Sequence, residues 1–149
     1  MFTKFIKIET DLKDSDVNFN LTDSDRNRMI NILSKFEYVE FKNEDDNNCV
    51  FCVAHINYIP QLLTFLSDIS VEFTYTDLTK DILFGSLTTT RDLCFESEEE
   101  EIKFLNMIEN FINDNLSVDI VLDKILEFGS ESLTNRDILV LENLKKTTQ

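Results

Sequence analysis

The sequence predicts an α+β fold: a ferredoxin-like βαββαβ sandwich, an antiparallel sheet with two helices on one face, followed by a helical C-terminal extension. Three observations carry this reading. From Cys49 to Tyr75 an apolar run, a helical stripe and a period-2 alternation succeed one another, which is strand, helix, strand. Before them a strand, a capped helix and a short strand supply the first half of the order. After Ser97 only helical periodicity remains, so residues 1–95 read as the sandwich and residues 96–149 as an extension packed on it or forming a docking module.

Residues 2–12 are the first predicted strand, with Phe2, Ile6, Ile8 and Leu12 on one parity and Lys7, Glu9 and Asp11 on the other. Phe5 breaks the alternation, which points to partial cover on both faces. The polar stretch Asp14 to Leu21 leads to Thr22, a good N-cap, with Asp23 and Asp25 at the positive end of the helix dipole. Met29, Ile30, Leu33 and Phe36 set a helix over Asp23 to Phe36. Tyr38 to Phe41 is a short strand with Val39 and Phe41 inward, and Asn43 to Asn48 a hairpin loop of turn-tolerant residues. The strand Cys49 to His55 follows, then a helix carrying Ile59, Leu62, Leu63, Leu66 and Ile69. Val71, Phe73 and Tyr75 alternate with polar residues in the next strand. Asp77 to Phe84 reads as a helical turn closed by Gly85 or as more sheet, and Leu87 to Phe95 as a further strand.

In the extension, Ser97 opens a helix whose first turn is Glu98, Glu99, Glu100 and Glu101, with Ile102, Leu105, Ile108, Phe111 and Ile112 as the predicted buried stripe. Ser117 caps a second helix with the stripe Val118, Val121, Leu122, Ile125 and Leu126, and Gly129 ends it. A third follows Thr134, with Asp137 three residues on and Leu133 placed to staple against Ile138. Leu141 and Leu144 continue its apolar face, and Lys145 and Lys146 stand in the last turn.

Composition narrows the function. The chain has 149 residues, 42% of them hydrophobic, with thirteen Phe, no Trp, two Gly and one Pro, a composition of regular elements around a real core. Twenty-nine acidic residues face 14 basic ones, giving a net charge of −15 and a pI near 4.3. Such a field disfavours nucleic acid and anionic membrane surfaces as direct partners, and favours a basic partner or a cation. No apolar run reaches the length of a membrane span and the N-terminus lacks a signal-peptide layout, so a cytoplasmic protein is expected.

The run Leu122-Asp123-Lys124-Ile125, then Gly129, then Ser132-Leu133-Thr134 with Asp137 and Leu141, resembles the short helix-turn-helix tail found after the membrane domain of some bacterial rhomboid-family proteins and on other bacterial proteins. It covers only the end of the chain. The rhomboid catalytic Ser and His have no counterpart, so no protease activity carries over, and Asp137 stands where that tail usually has Glu. The resemblance implies a docking or packing module and a bacterial origin.

Cys49 and Cys52 form a C-x-x-C, but residues three apart in a strand point to opposite faces, which argues against a shared metal or a disulfide. His55 and Cys94 complete a Cys3His set without a second knuckle. His55 is the only histidine, and its place at a strand end suits a structural hydrogen bond better than acid-base work. Asp45, Asp46 and Asn48 lack the glycine and final glutamate of a calcium loop, and neither glycine lies in a phosphate-binding loop. No catalytic, cofactor or metal residue is therefore assigned, and the expected function is non-enzymatic protein binding. The candidate contacts are Asp45, Asp46, Glu98, Glu99, Glu100 and Glu101. An alternative is an acidic inhibitor of immunity type that mimics nucleic acid and blocks a basic enzyme. Because the predicted sandwich leaves one sheet face open, with Val39, Phe41, Phe51 and Phe73 as face residues, a homodimer through the sheet or the tail helices is also expected.

Overall fold

The computed structural model describes residues 2–10, 21–44, 47–85 and 97–148. Its elements are β1 (Thr3–Thr10), α1 (Asp23–Leu33), β2 (Tyr38–Glu44), β3 (Asn47–His55), α2 (Ile59–Asp68), β4 (Phe73–Asp77), α3 (Thr79–Leu83), α4 (Glu98–Asn115), α5 (Val118–Phe128), a 3-10 turn (Ser130–Ser132) and α6 (Asn135–Thr148). The predicted strand over Leu87 to Phe95 lies outside the described residues, as do Cys94, Asp45 and Asp46.

The fold is α+β, built on one antiparallel four-stranded sheet in the order β2-β3-β1-β4. Alternation along β1 and β3 divides their side chains between two cores. Ile6, Ile8, Cys52 and Ala54 pack with Ile32, Phe36, Ile59, Leu62 and Phe65, so α1 and α2 cover one face together. Phe5, Cys49, Phe51 and Val53 pack on the other face with Leu78, Ile82, Leu83, Phe104, Met107, Ile108, Phe111 and Ile112. The second face is thus covered by α3 and α4 of the same chain. The open face on which a dimer through the sheet was expected is filled from within.

Local signals explain these elements. Thr22 and Asp25 form a reciprocal capping box at the start of α1, and Ser97 and Ser117 accept from the backbone N–H groups of Glu100 and Ile120 at the starts of α4 and α5. Phe5 is buried as its break in alternation implied, and it joins a ladder of edge-to-face rings. Phe111 stands 5.5 Å from Phe5, Phe5 6.4 Å from Phe51, and Phe51 4.8 Å from Phe104. Where β4 ends, Thr79 takes over the pairing of β1: its Oγ1 accepts from the Phe5 N–H at 3.0 Å, and the Leu78 N–H donates to the Phe5 carbonyl at 2.8 Å. Asp77 to Phe84 therefore divides into a strand end and the short helix α3, closed by Gly85 at φ 82°.

Several predicted stripes are turned. In α1 Ile32 is buried while Ile30 is 62% exposed, and in α2 Phe65 is fully buried beside Ile59 and Leu62. In α4 the buried series is Phe104, Met107, Ile108, Phe111 and Ile112, and Ile102 and Leu105 face solvent. In α5 Val121 and Lys124 face inward, leaving Leu122 and Leu126 outside. Ile138, the predicted staple partner, is exposed. The strand predicted to start at Val71 begins at Phe73, and as an edge strand it is largely exposed, Tyr75 included.

Candidate functional site

The sequence motifs that suggested chemistry are built into the scaffold. Cys49 belongs to the core under α4 and Cys52 to the core under α1 and α2, so the two thiols lie on opposite sides of the sheet and are not joined in a disulfide. Burial pushes the Cys52 thiol up to about 12, with Cys49 adding to the rise, which keeps it protonated and poorly nucleophilic at neutral pH. His55 stacks on Phe2 at 5.9 Å, and its Nδ1 accepts from the Asn57 N–H at 3.1 Å, closing the turn into α2. Among the described residues no group of three His, Cys, Asp or Glu side chains is placed to hold a metal ion, and no helix is long and apolar enough to cross a membrane.

The acidic candidates are split by position. Glu98, Glu99 and Glu101 are exposed at the N-terminal turn of α4, and Glu100, whose backbone N–H is capped by Ser97 at 3.2 Å, is half-buried. This turn combines carboxylates with a favourable helix dipole, a stable charged surface. Asp45 and Asp46, between β2 and β3 in the chain, lie outside the described residues.

A different surface emerges at the C-terminal helices. Lys124, buried in α5, donates to Asp137 Oδ2 at 2.8 Å, and the same oxygen accepts from the Thr134 N–H at 2.9 Å. Thr134 Oγ1 in turn accepts from the Asp137 N–H at 3.3 Å, so one carboxylate caps α6 and neutralises α5. Burial alone would raise the Asp137 pKa, but the bonds from Lys124 and Thr134 outweigh it and hold the carboxyl below its ordinary range. Arg136 pairs with Glu109 and fastens α6 to α4. Turning Lys124 inward leaves part of the α5 apolar stripe outside: Leu126 is 84% exposed, and Leu122 and Phe128 also stand in solvent, as do Ile138 and Leu139 of α6.

Beside Leu126 lies an open groove of about 940 Å³ between α3 and α5, reaching Lys4 of β1 and Asn115 at the end of α4. Leu83, Phe84, Ile120 and Leu126 give it an apolar lining. Its charged residues are Lys4, Lys80, Asp77, Asp119, Asp123 and Glu127, two cations against four carboxylates. Lys4 pairs with Asp77 at 2.7 Å and Lys80 with Glu127 at 2.7 Å. Asp119 and Asp123 remain without an ion-pair partner among the described residues, so the groove is negative as well as apolar.

None of these groove residues was singled out as a contact from sequence. Leu122 and Leu126 belonged to a stripe that any amphipathic helix would bury, and Asp119 and Asp123 were two carboxylates among many. One signal was present: Lys124 interrupts that stripe in a helix whose partner helix starts with a capping Asp. Comparison with family models, with curated proteins and with solved structures finds no match.

Proposed function

We propose that this protein is a non-enzymatic module that binds another, basic protein through its C-terminal helices. The observation that carries the reading is the set of large apolar side chains, Leu122, Leu126, Phe128, Ile138 and Leu139, left outside the core of an acidic chain. Apolar residues ringed by charge are the usual anatomy of a contact surface, with an anchor at the centre and a polar rim. The likeness of this hairpin to the rhomboid-type tail supports the same reading, as do a buried, protonated Cys52 and a His55 spent on packing and a turn. A ferredoxin-like frame for the sheet β1 to β4 with α1 and α2 belongs to the same proposal. Its support is the sheet read from its other edge, β4-β1-β3-β2, with α1 and α2 sharing one face.

The narrower inhibitor reading rests on Glu98, Glu99 and Glu101, which stand exposed in one helical turn. Salt separates the two. Binding through apolar anchors persists at high ionic strength, whereas a nucleic-acid mimic loses its target as its charges are screened. The test compares affinity capture by the wild-type protein and by a Leu122→Ser/Leu126→Ser/Leu139→Ser variant, followed by calorimetry with the recombinant partner. A partner retained by the wild type alone, with a negative heat-capacity change on binding, is the expected result. Equal capture by both proteins refutes the reading. Release of a nucleic-acid-acting enzyme by moderate salt, unaffected by the leucine changes, favours the inhibitor instead.

A further inference from the structure

The groove between α3 and α5 has a chemistry of its own, apolar underneath and negative at the side. Phe84 and Leu83 come from the end of α3, Ile120 and Leu126 from α5, and Asp119 and Asp123 alternate with these two on the same helix. The ion pairs Lys4 to Asp77 and Lys80 to Glu127 satisfy the other charges, so what the groove offers a ligand is two carboxylates over an apolar bed. At about 940 Å³ it is large enough for a few residues of peptide.

We infer that this groove receives a short segment of the protein partner in which a Lys or Arg stands next to a large aliphatic or aromatic residue. The inference rests on the protein-binding reading above and names what the partner presents. The apolar side chain lies against Phe84, Ile120 and Leu126, and the cation meets Asp119 and Asp123. A second copy of this chain is a poor occupant, since its net charge of −15 would bring more carboxylates to a site that already has two without an ion-pair partner among the described residues. Contacts also link the groove's walls: Lys80 pairs with Glu127 between α3 and α5, and Phe84 meets Phe128 edge-to-face at 5.9 Å. A preformed site of this kind loses less entropy on binding than a loop would.

The probe is a phage-displayed library of random linear peptides, selected on the intact chain. Enriched peptides should combine Lys or Arg with Leu, Ile, Met or Phe, and their affinity should fall about tenfold or more for Leu126→Ser, as it does when a central anchor is truncated. Asp119→Lys/Asp123→Lys should weaken the same peptides and flatten their salt dependence. Both variants alter exposed side chains, and an unchanged melting temperature confirms that the fold is intact. Peptides that bind these variants as tightly as the wild type, but are lost on Glu98→Lys/Glu99→Lys, overturn the groove and leave protein binding standing at another surface. Absence of any enriched peptide also overturns it, and the capture experiment then decides the wider reading separately.

Discussion

Ser70 holds a left-handed backbone, φ 61°, where α2 gives way to β4. Its N–H donates to the Ser67 carbonyl at 3.0 Å and the Val71 N–H to the Leu66 carbonyl at 2.9 Å, the paired bonds of a Schellman ending. Glycine is the usual residue there, because a Cβ in this conformation costs about 1–2 kcal/mol. The greater freedom of glycine in the unfolded chain offsets about 0.5–1 kcal/mol of the relief. Ser70→Gly is therefore expected to stabilise the protein by roughly 0.5–1 kcal/mol, a rise of a few degrees in Tm by calorimetry. A fall in Tm would mean that the serine hydroxyl contributes more than its backbone costs.

The ion pair between α5 and α6 sets how the C-terminal helices respond to pH and to substitution. Lys124 and Asp137 are both almost fully buried, so removing one charge strands the other; Lys124→Met should cost about 3–5 kcal/mol. Thr134→Ala, which loses a cap and no charge, should cost about 1 kcal/mol. The Asp137 carboxyl titrates below its unfolded value, so its stabilisation is fully present above the unfolded pKa near 3.9 and is lost as the pH falls through the lower folded value. Melting temperatures measured between pH 6 and pH 2 should fall most steeply below about pH 4, and Asp137→Asn should flatten that fall. An equally steep fall in the variant would assign the acid sensitivity to other carboxylates. The same helices mark the limit of what the sequence made legible. Caps at Thr22, Ser97, Ser117 and Thr134 were readable because each is decided within four residues of chain. The opposite facing of Cys49 and Cys52 was readable from strand geometry alone. Which flank of a stripe is buried was not, because Ile32, Phe104 and Met107 are chosen over Ile30, Ile102 and Leu105 by neighbours distant in the chain. The groove was hidden for the same reason: it exists only where α3 and α5 meet.

At the scale of the whole molecule, the boundary near residue 96 separates periodicities without separating cores. Reading the chain as a sandwich with an appendage implies that the first part folds alone, yet its sheet has two apolar faces. One is closed by α1 and α2, the other by α3 and by Phe104, Met107, Ile108, Phe111 and Ile112 of α4. Burying a side chain of this kind contributes about 1.5–3 kcal/mol, so five of them rival the entire net stability of a domain, about 5–15 kcal/mol. Without α4 the rings of Phe5 and Phe51 lose Phe111 and Phe104, their edge-to-face partners, and meet water. A chain ended before Ser97 should then lack a cooperative thermal transition, bind a hydrophobic dye and self-associate through the uncovered face, while the full chain does none of these. Adding residues 97–116 back in trans as a peptide should restore a sharp transition, because that segment carries the missing half of the core. A truncated chain that melts cooperatively near the full-length temperature would show instead that α1 and α2 suffice, and that α4 is held by the sheet without holding it.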